Sequence, residues 1–102
     1  MQVKTFTKRD LAKIVSRNLN TSIRKSLIYT DEVFNAVREL LCKDDDYIRV
    51  EIRNFGVIES KPAKAKPKAR NPRTNEEIFV PAHKKTHFKP GKLLKEHLKK
   101  PI

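Results

Sequence analysis

A basic, proline-punctuated segment at residues 61–81 limits what this chain can fold into. Its sequence, KPAKAKPKARNPRTNEEIFVP, holds six cations and no acid between Lys61 and Asn75. Unpaired charges are costly to bury, so this segment cannot enter a packed core. Cations alternate with small residues from Lys64 to Arg70, and an extended chain would therefore place them on one face. Asn and Pro at 71–75 favour a turn, and residues 77–80 supply a returning strand. The pattern predicts a two-stranded β-ribbon arm.

Positive charge is concentrated in the second part of the chain. Residues 61–102 carry 13 Lys and Arg against 3 Asp and Glu, a net charge of +10, whereas residues 1–60 have a net charge of +2. A field of this kind attracts a polyanion, and nucleic acid is the usual one for a small basic protein. The alternative interpretation of a Lys/Ala/Pro run is a disordered, solubilising tail. Here an apolar strand, a turn and a helix follow the run, which favours the arm.

Length and composition limit the class of protein. A chain of 102 residues permits one domain. If about twenty residues form an extended arm, the remainder has little core of its own, and we expect oligomerisation to supply more. The single cysteine, Cys42, cannot form an intrachain disulfide, which suits a reducing compartment. The sequence contains no signal-peptide pattern and no apolar run of membrane-spanning length. We expect a cytoplasmic protein that does not contact membranes.

Two amphipathic helices are predicted before the basic region. The first opens at Thr7, with Asp10 in position for a capping box. A second helix follows caps at residues 20–22 and runs to about Cys42. Its apolar stripe is broader than one small sheet can cover. We therefore expect helix 2 to pack against its own domain on one side and against a second copy on the other.

The predicted element order is α-α-β-β-arm-β-α, an α+β fold. Residues 47–52 alternate polar and apolar and predict a strand, residues 53–56 a turn, and residues 57–60 a second strand that leads into the arm. Residues 81–88 predict a further strand or loop. The last helix opens at Pro90-Gly91-Lys92 and runs over about 90–100.

The sequence gives little support to enzyme or metal chemistry. Asp44, Asp45 and Asp46 are consecutive acids without the spaced ligands and glycine of a calcium loop, and are interpreted as a solvated loop. His83, His87 and His97 have no cysteine or acid spaced for zinc or triad chemistry, and are interpreted as surface residues. We predict no catalytic residue, no metal and no cofactor.

Three blocks of residues resemble one known family, the bacterial histone-like HU and integration host factor (IHF) proteins. The blocks are Asn54-Phe55-Gly56 at the first hairpin, residues 69–75 (ARNPRTN) at the arm tip, and residues 88–92 (FKPGK) before the final helix. Their order and spacing agree with the family across essentially the whole chain. The resemblance implies an intertwined dimer with an IHF-like DNA-binding fold: two N-terminal helices, a three-stranded antiparallel sheet with a long arm, and a C-terminal helix. Two arms would reach around the minor groove, and a proline at each tip would wedge between base pairs and bend the DNA.

The resemblance also implies roles for individual residues. Pro72 becomes the intercalating wedge, because proline is rigid, apolar and lacks an N–H. The other tip residues, Arg70, Asn71 and Arg73, would contact the minor-groove floor and flanking phosphates. The arm lysines would contact phosphates; they are Lys61, Lys64, Lys66 and Lys68. Three further lysines, Lys85, Lys89 and Lys92, would line the body beneath the DNA. The family usually has glycine where Asn54, Ala69 and Asn75 stand in this chain.

The predicted organisation is a single domain over residues 1–102. It has a helical dimerisation part at about 1–43, the sheet and arm at about 47–88 with the arm at 61–81, and the C-terminal helix. The implied partner is double-stranded DNA, with bent, nicked or distorted DNA favoured, in the nucleoid. The dimer could be a homodimer or a pair with a paralogue. The alternative function is that of a small basic RNA-binding structural protein of ribosomal type, which would not need self-association.

Overall fold

Three helices and five strands follow one another in the predicted order. A computed structural model describes residues 2–102, with the side chains of residues 66–69 outside the description. The chain divides into two units, Met1–Glu39 and Leu40–Ile102. The helices are α1 (Lys8–Leu19), α2 (Ile23–Leu41) and α3 (Lys92–Leu98); the strands are β1 (Ile48–Ile52), β2 (Gly56–Ala63), β3 (Lys66–Arg70), β4 (Glu77–Val80) and β5 (His83–Pro90).

Local hydrogen bonds explain where the first two helices begin. The Asp10 carboxylate accepts the backbone N–H of Thr7 at 2.8 Å, which confirms the predicted capping-box partner. The same hydrogen bond holds the pKa of Asp10 below its ordinary value. Helix α1 ends at Asn20, whose φ of 50° is left-handed. The Ser22 hydroxyl then accepts the backbone N–H of Lys25 at 3.1 Å and caps the start of α2.

Few apolar side chains are buried within the helical unit. Lys8 of α1 forms an ion pair with Asp31 of α2, and the contact with this ammonium lowers the pKa of Asp31. Ala12 is the only apolar side chain that is fully buried among the residues that the structure describes. On α2, Tyr29 and Val33 leave 58% and 60% of their surface exposed. A chain with so small a core has unusually much apolar surface left to cover.

β2 lies at the centre of the three-stranded antiparallel sheet, in the order β1-β2-β5. Strand β5, which the sequence predicts as a strand or loop over 81–88, continues to Pro90. The last helix therefore begins at Lys92, with Gly91 as its N-cap, and not at Pro90. Asn54 adopts a left-handed φ of 66° in the turn between β1 and β2. A Cβ atom on Gly56 would lie only 2.5 Å from the Lys89 carbonyl oxygen, so this position requires glycine.

The two faces of this sheet differ in character. Side chains alternate along each strand, and directly opposed residues share a face. One face is mainly apolar and carries Ile48, Val50 and Ile52 of β1, Ile58 of β2 and Phe88 of β5.

None of the helices formed by the described residues has an apolar stretch long enough to cross a bilayer.

Candidate nucleic-acid interface

The second face of the three-stranded sheet is mainly polar and charged. The register pairs Glu59 with Arg49 on one side and with His87 on the other, so these three side chains share this face. The other residues of this face lie two or four positions before or after these three along their strands. The polar face comprises Arg49 and Glu51 of β1, Val57, Glu59, Lys61 and Ala63 of β2, and His83, Lys85, His87 and Lys89 of β5. It is cationic, with two carboxylates among its side chains.

Glu59 lies fully buried at the centre of the polar face. The Tyr47 hydroxyl donates a hydrogen bond to its Oε2 atom. The Nζ atom of Lys89 lies 2.9 Å from Oε1, and the Nε atom of Arg49 lies 4.0 Å from Oε2. The side chains of Lys89 and Arg49 nevertheless remain 54% and 50% exposed. Glu59 therefore holds two cations in place while leaving them accessible to a partner.

The charge state of Glu59 follows from these contacts. The direct contact with the Lys89 ammonium holds the pKa of this carboxyl below its ordinary value of 4.5. Burial acts in the opposite direction, because desolvation disfavours the charged form, while the positive charges of Lys89, Lys61 and His87 lower the pKa further. Glu59 is thus an anion at neutral pH.

Lys61 and Lys85 lie directly opposite each other on β2 and β5. Neither forms an ion pair with a carboxylate of the described residues. Like charges at directly opposed positions of a sheet destabilise it. Two lysines at opposed positions concentrate positive charge in this part of the polar face.

The neighbouring Lys84 has a different role. Its position is one residue from Lys85, so it belongs to the opposite face of the sheet. Its Nζ atom donates to the backbone carbonyls of Lys43 and Asp45, at 3.1 and 2.8 Å. Lys84 therefore fixes the acidic loop after α2 and is not part of the polar face.

The arm extends the β2–β5 ribbon with a short interruption. Ala63 pairs with His83, and Lys66 pairs with Val80, three residues further along both strands, so the register is continuous. Residues 64–65 and 81–82 between these pairs are not in strands. Pro81 has no N–H to donate, which explains a break in the ladder at this point.

A register shift occurs within the arm. Between Lys66 and Ala69 the β3 strand advances by three residues while β4 advances by two, so the extra residue is a β-bulge. The predicted single row of charges falls on side chains of this strand. Lys64 precedes β3 and is exposed, while the side chains of Lys66 and Lys68 lie outside the described residues.

Hydrogen bonds within residues 71–76 define the arm tip. Asn71 donates its N–H to the Glu76 carbonyl at 2.9 Å, and its own carbonyl accepts the Asn75 N–H at 2.7 Å. The Asn71 side-chain oxygen accepts the N–H of Arg73 at 3.0 Å. Asn75 has a left-handed φ of 60°, which asparagine tolerates. Pro72, which follows Asn71, is exposed at this tip.

Arg70 is tied to the returning side of the arm. Its guanidinium lies 3.3 Å from the Asn75 side-chain oxygen and 4.0 Å from the Glu77 carboxylate. Arg73, by contrast, makes no ion pair among the described residues and is exposed. At the tip, Pro72 therefore lies near two arginines that differ in their support. Contacts across the arm hold Arg70, whereas Arg73 is positioned by the backbone of the turn.

The structure brings together most of the predicted site residues. Lys61, Lys85 and Lys89 share the polar face, and residues 70–73 share the arm tip. Lys92 is different: it begins α3 and lines a cavity beside the β1–β2 turn, outside the rows of the sheet.

Sequence reasoning missed six polar residues of this face or its edge: Tyr47, Arg49, Glu51, Glu59, His83 and His87. The alternation of His83, Lys85, His87 and Lys89 along β5 could have indicated part of it, because residues two apart on a strand share a face. The burial of Glu59 could not be read this way, since it depends on side chains from both neighbouring strands.

Comparisons with known proteins agree with this geometry. The sequence model of a family described as "Bacterial DNA-binding protein" matches residues 6–99. DNA-binding protein HU of Geobacillus stearothermophilus is 37% identical over 94 residues, which cover 92% of this chain and all of that protein. Integration host factor subunit alpha of Hydrogenovibrio crunogenus is 30% identical over 93 residues, 91% of this chain and 92% of that protein. The Anabaena HU–DNA cocrystal structure matches with a TM-score of 0.79 and 27% identity, covering 94% of this chain and 100% of that one.

We predict that Glu59→Gln lowers the thermal unfolding midpoint at pH 7. The folded pKa of Glu59 lies below its unfolded value, so its stabilising effect is present above about pH 4.5 and is lost as the pH falls through the folded pKa. The deficit of the variant should therefore shrink below pH 4.5. Midpoints measured by circular dichroism from pH 7 to pH 3 test this.

The matched control for this measurement is Glu51→Gln, an exposed carboxylate on the same face that lies 3.4 Å from Arg49. It should change the midpoint little, because exposed ion pairs contribute little to stability. A Glu59→Gln deficit that stays constant from pH 7 to pH 3 would contradict a role for the Glu59 charge.

Proposed function

The chain belongs to the bacterial DNA-binding protein family that includes HU and integration host factor, and from this premise we propose that it is an architectural protein that binds and bends duplex DNA. The single observation that carries the proposal is the opposed Lys61–Lys85 pair, which forms no ion pair with a carboxylate of the described residues, on a cationic sheet face that continues into a basic arm. A surface of this shape and charge suits the phosphate backbone of a duplex.

The polar face and the arm would have separate tasks. Lys61, Lys85 and Lys89 would contact phosphates beneath the duplex, with Lys92 and the arm lysines Lys64, Lys66 and Lys68 extending these contacts. At the tip, Arg70 and Arg73 would enter the minor groove, whose negative potential attracts guanidinium groups. Asn71 supports them by holding the turn, and its amide nitrogen could donate to a base edge.

Pro72 would act as the wedge. It is exposed at the arm tip and has no N–H, so its insertion between base pairs would leave no backbone donor unsatisfied. Unstacking a base step costs about a few kcal/mol, which a bent duplex offsets by contacting more protein surface. The bend is thus coupled to the contacts on the polar face.

A dimer would supply the second arm and cover apolar surface. Tyr29, Val33 and Ala36 are exposed at successive turns of α2, at the spacing of one helix face. With Ala12 as the only fully buried apolar side chain of the described residues, a stable fold needs apolar surface to be covered by a second chain. The partner could be an identical chain or a paralogue.

No reaction is part of this proposal. The described residues contain no group of three or more His, Cys, Asp or Glu side chains that could hold a metal ion. A protein of this function would act in the cytoplasm, with the nucleoid, and would help to compact or organise the chromosome. The RNA-binding alternative is an outcome of the binding experiment below.

Binding to duplex DNA should be strong and salt-dependent. The logarithm of the binding constant should fall against the logarithm of salt concentration with a slope of about −0.9 per phosphate contact. We predict that Lys61→Ala/Lys85→Ala makes this slope shallower by about 0.9 for each phosphate that the variant no longer binds. Fluorescence anisotropy with duplex, nicked DNA and structured RNA of equal length measures both slope and preference.

Lys99→Ala/Lys100→Ala is the matched control, because it removes equal charge at the end of α3, outside the sheet face. It should leave the slope near that of the parent protein. Equal slopes for the two double variants would place the DNA elsewhere, and tighter binding to structured RNA than to any DNA would favour the ribosomal-type alternative.

Dimerisation should make stability depend on concentration. A tenfold rise in protein concentration should raise the unfolding midpoint by about 3–6 °C. We predict that Val33→Glu, which puts a charge on the exposed face of α2, weakens the dimer by on the order of tenfold or more. Asn18→Glu, at an exposed polar position of α1, should not. Analytical ultracentrifugation decides; a folded monomer throughout the micromolar range would refute the dimer.

Pro72→Ala should reduce bending more than affinity, because it keeps every charge of the arm and removes only the rigid wedge. Fluorescence energy transfer between the ends of a duplex of roughly 35 bp, far below the persistence length of about 150 bp, measures the bend. Nicked DNA is already partly unstacked and should mask the defect. Pro101→Ala, near the C-terminus, is the control. If Pro72→Ala bends the intact duplex as fully as the parent, Pro72 is only a turn residue.

A further inference from the structure

Two histidines on the polar face have no role in the function proposed so far. His83 and His87 lie on the same face of β5 as Lys85 and Lys89, and all four residues are exposed. The row therefore alternates lysine, a permanent cation, with histidine, whose ring can gain a proton. β5 is an edge strand of the three-stranded sheet, so within the sheet only β2 flanks this row.

The hydrogen bond of His83 determines what its ring can offer. Its Nδ1 atom lies 2.8 Å from the carbonyl oxygen of Pro81. A carbonyl only accepts, so Nδ1 carries the hydrogen, and in the neutral ring Nε2 is left with a lone pair. A lone pair repels a phosphate oxygen. Protonation turns Nε2 into a charged donor, so His83 can donate to a phosphate from Nε2 only in its protonated form.

The charges that face His83 come from its own strand and from β2. Ala63 lies directly opposite it and carries no charge, while Lys61 and Lys85 occupy the next positions on the face. These two lysines disfavour a further positive charge when DNA is absent. A phosphate between the lysines and the imidazole would reverse this balance, because it attracts all three groups.

His87 occupies a different electrostatic setting. The carboxylate at the directly opposite position, Glu59, favours a protonated imidazole, while Lys85 and Lys89 on its own strand and Lys61 on β2 disfavour it. Arg49 lies one strand further away, paired with the other side of Glu59. Lys89 already forms an ion pair with Glu59, with 2.9 Å between Nζ and Oε1, so the negative charge of Glu59 is largely offset before DNA arrives. An approaching phosphate would then favour protonation of His87.

We propose that His83 and His87 are conditional phosphate contacts, which bind the DNA backbone only when protonated, so that this chain holds duplex DNA more tightly as the pH falls. The inference rests on the proposed DNA-binding function and adds a mode of regulation to the same face. Binding would be accompanied by proton uptake, because phosphate contacts raise the proton affinity of the two rings.

The test is the affinity for a rhodamine-labelled duplex of about 35 bp, measured by anisotropy from pH 8.5 to pH 5.5 at constant ionic strength. A rise of about one pKa unit in one histidine on binding corresponds to about tenfold in the binding constant across this range. The parent protein should bind at least about tenfold more tightly at pH 5.5 than at pH 8.5. His83→Gln/His87→Gln should lose most of this dependence yet match the parent at pH 8.5.

Two further variants make the result specific. His97→Gln removes the third histidine, which lies on α3, and should keep the pH dependence of the parent. His83→Lys/His87→Lys carries permanent charge, and should bind more tightly than the parent at pH 8.5 with little change on acidification. If the glutamine double variant keeps the full pH dependence of the parent, the inference is overturned while DNA binding stands. If the parent binds no duplex at any pH, the proposed function itself fails.

Discussion

The antiparallel pairing of β2 with β5 determines where most candidate interface residues lie. Eight consecutive residue pairs, from Gly56 with Pro90 to Ala63 with His83, set the register, and a side-chain period of two then assigns each residue to a face. A slip of one residue would move Lys85 and Lys89 to the apolar side. The same ladder continues in register to Lys66 and Val80, so the sheet that forms the cationic face also supports the arm. Close approach at Gly56 and the Phe55–Phe88 ring pair, whose centroids lie 5.2 Å apart, stabilise the base of the ribbon, at the end opposite the arm tip.

Glu59 gives this cationic face its internal order. A buried carboxylate is costly unless it is paired and hydrogen-bonded; here Tyr47 donates a hydrogen bond to Glu59, Lys89 forms an ion pair with it, and Arg49 lies within 4.0 Å. The anion reduces the repulsion among the surrounding cations, which would otherwise destabilise the sheet. Lys89 and Arg49 nevertheless stay accessible to a partner, because about half of each side chain remains exposed. The stability of this face therefore depends on a lysine and an arginine that stay accessible, and Lys61 and Lys85 lie opposite each other with no ion pair to a carboxylate of the described residues.

The helical part presents the opposite problem, since apolar surface rather than charge is left without a partner. Capping at Thr7 and Ser22 and the Lys8–Asp31 pair define the two helices locally. Yet caps and exposed ion pairs contribute little compared with burial, and one fully buried alanine cannot stabilise a domain. The proposed dimer answers this need, and it places a second arm on the DNA with no additional sequence.

Local sequence determined the element order, the capping box, the left-handed turns at Asn54 and Asn75, and the basic arm. Each of these depends on neighbours within a few residues, where caps, alternation and turn chemistry act. The arm-tip block also identified the family, as the comparisons confirm. Tertiary structure alone decided the rest. The bulge after Lys66 arises from pairing with β4, and the burial of Glu59 arises from side chains on both flanking strands. Which of Lys84 and Lys85 joins the polar face depends on register, because adjacent residues of a strand project to opposite faces and the pairing with β2 decides which of them lies beside Lys61 and Glu59.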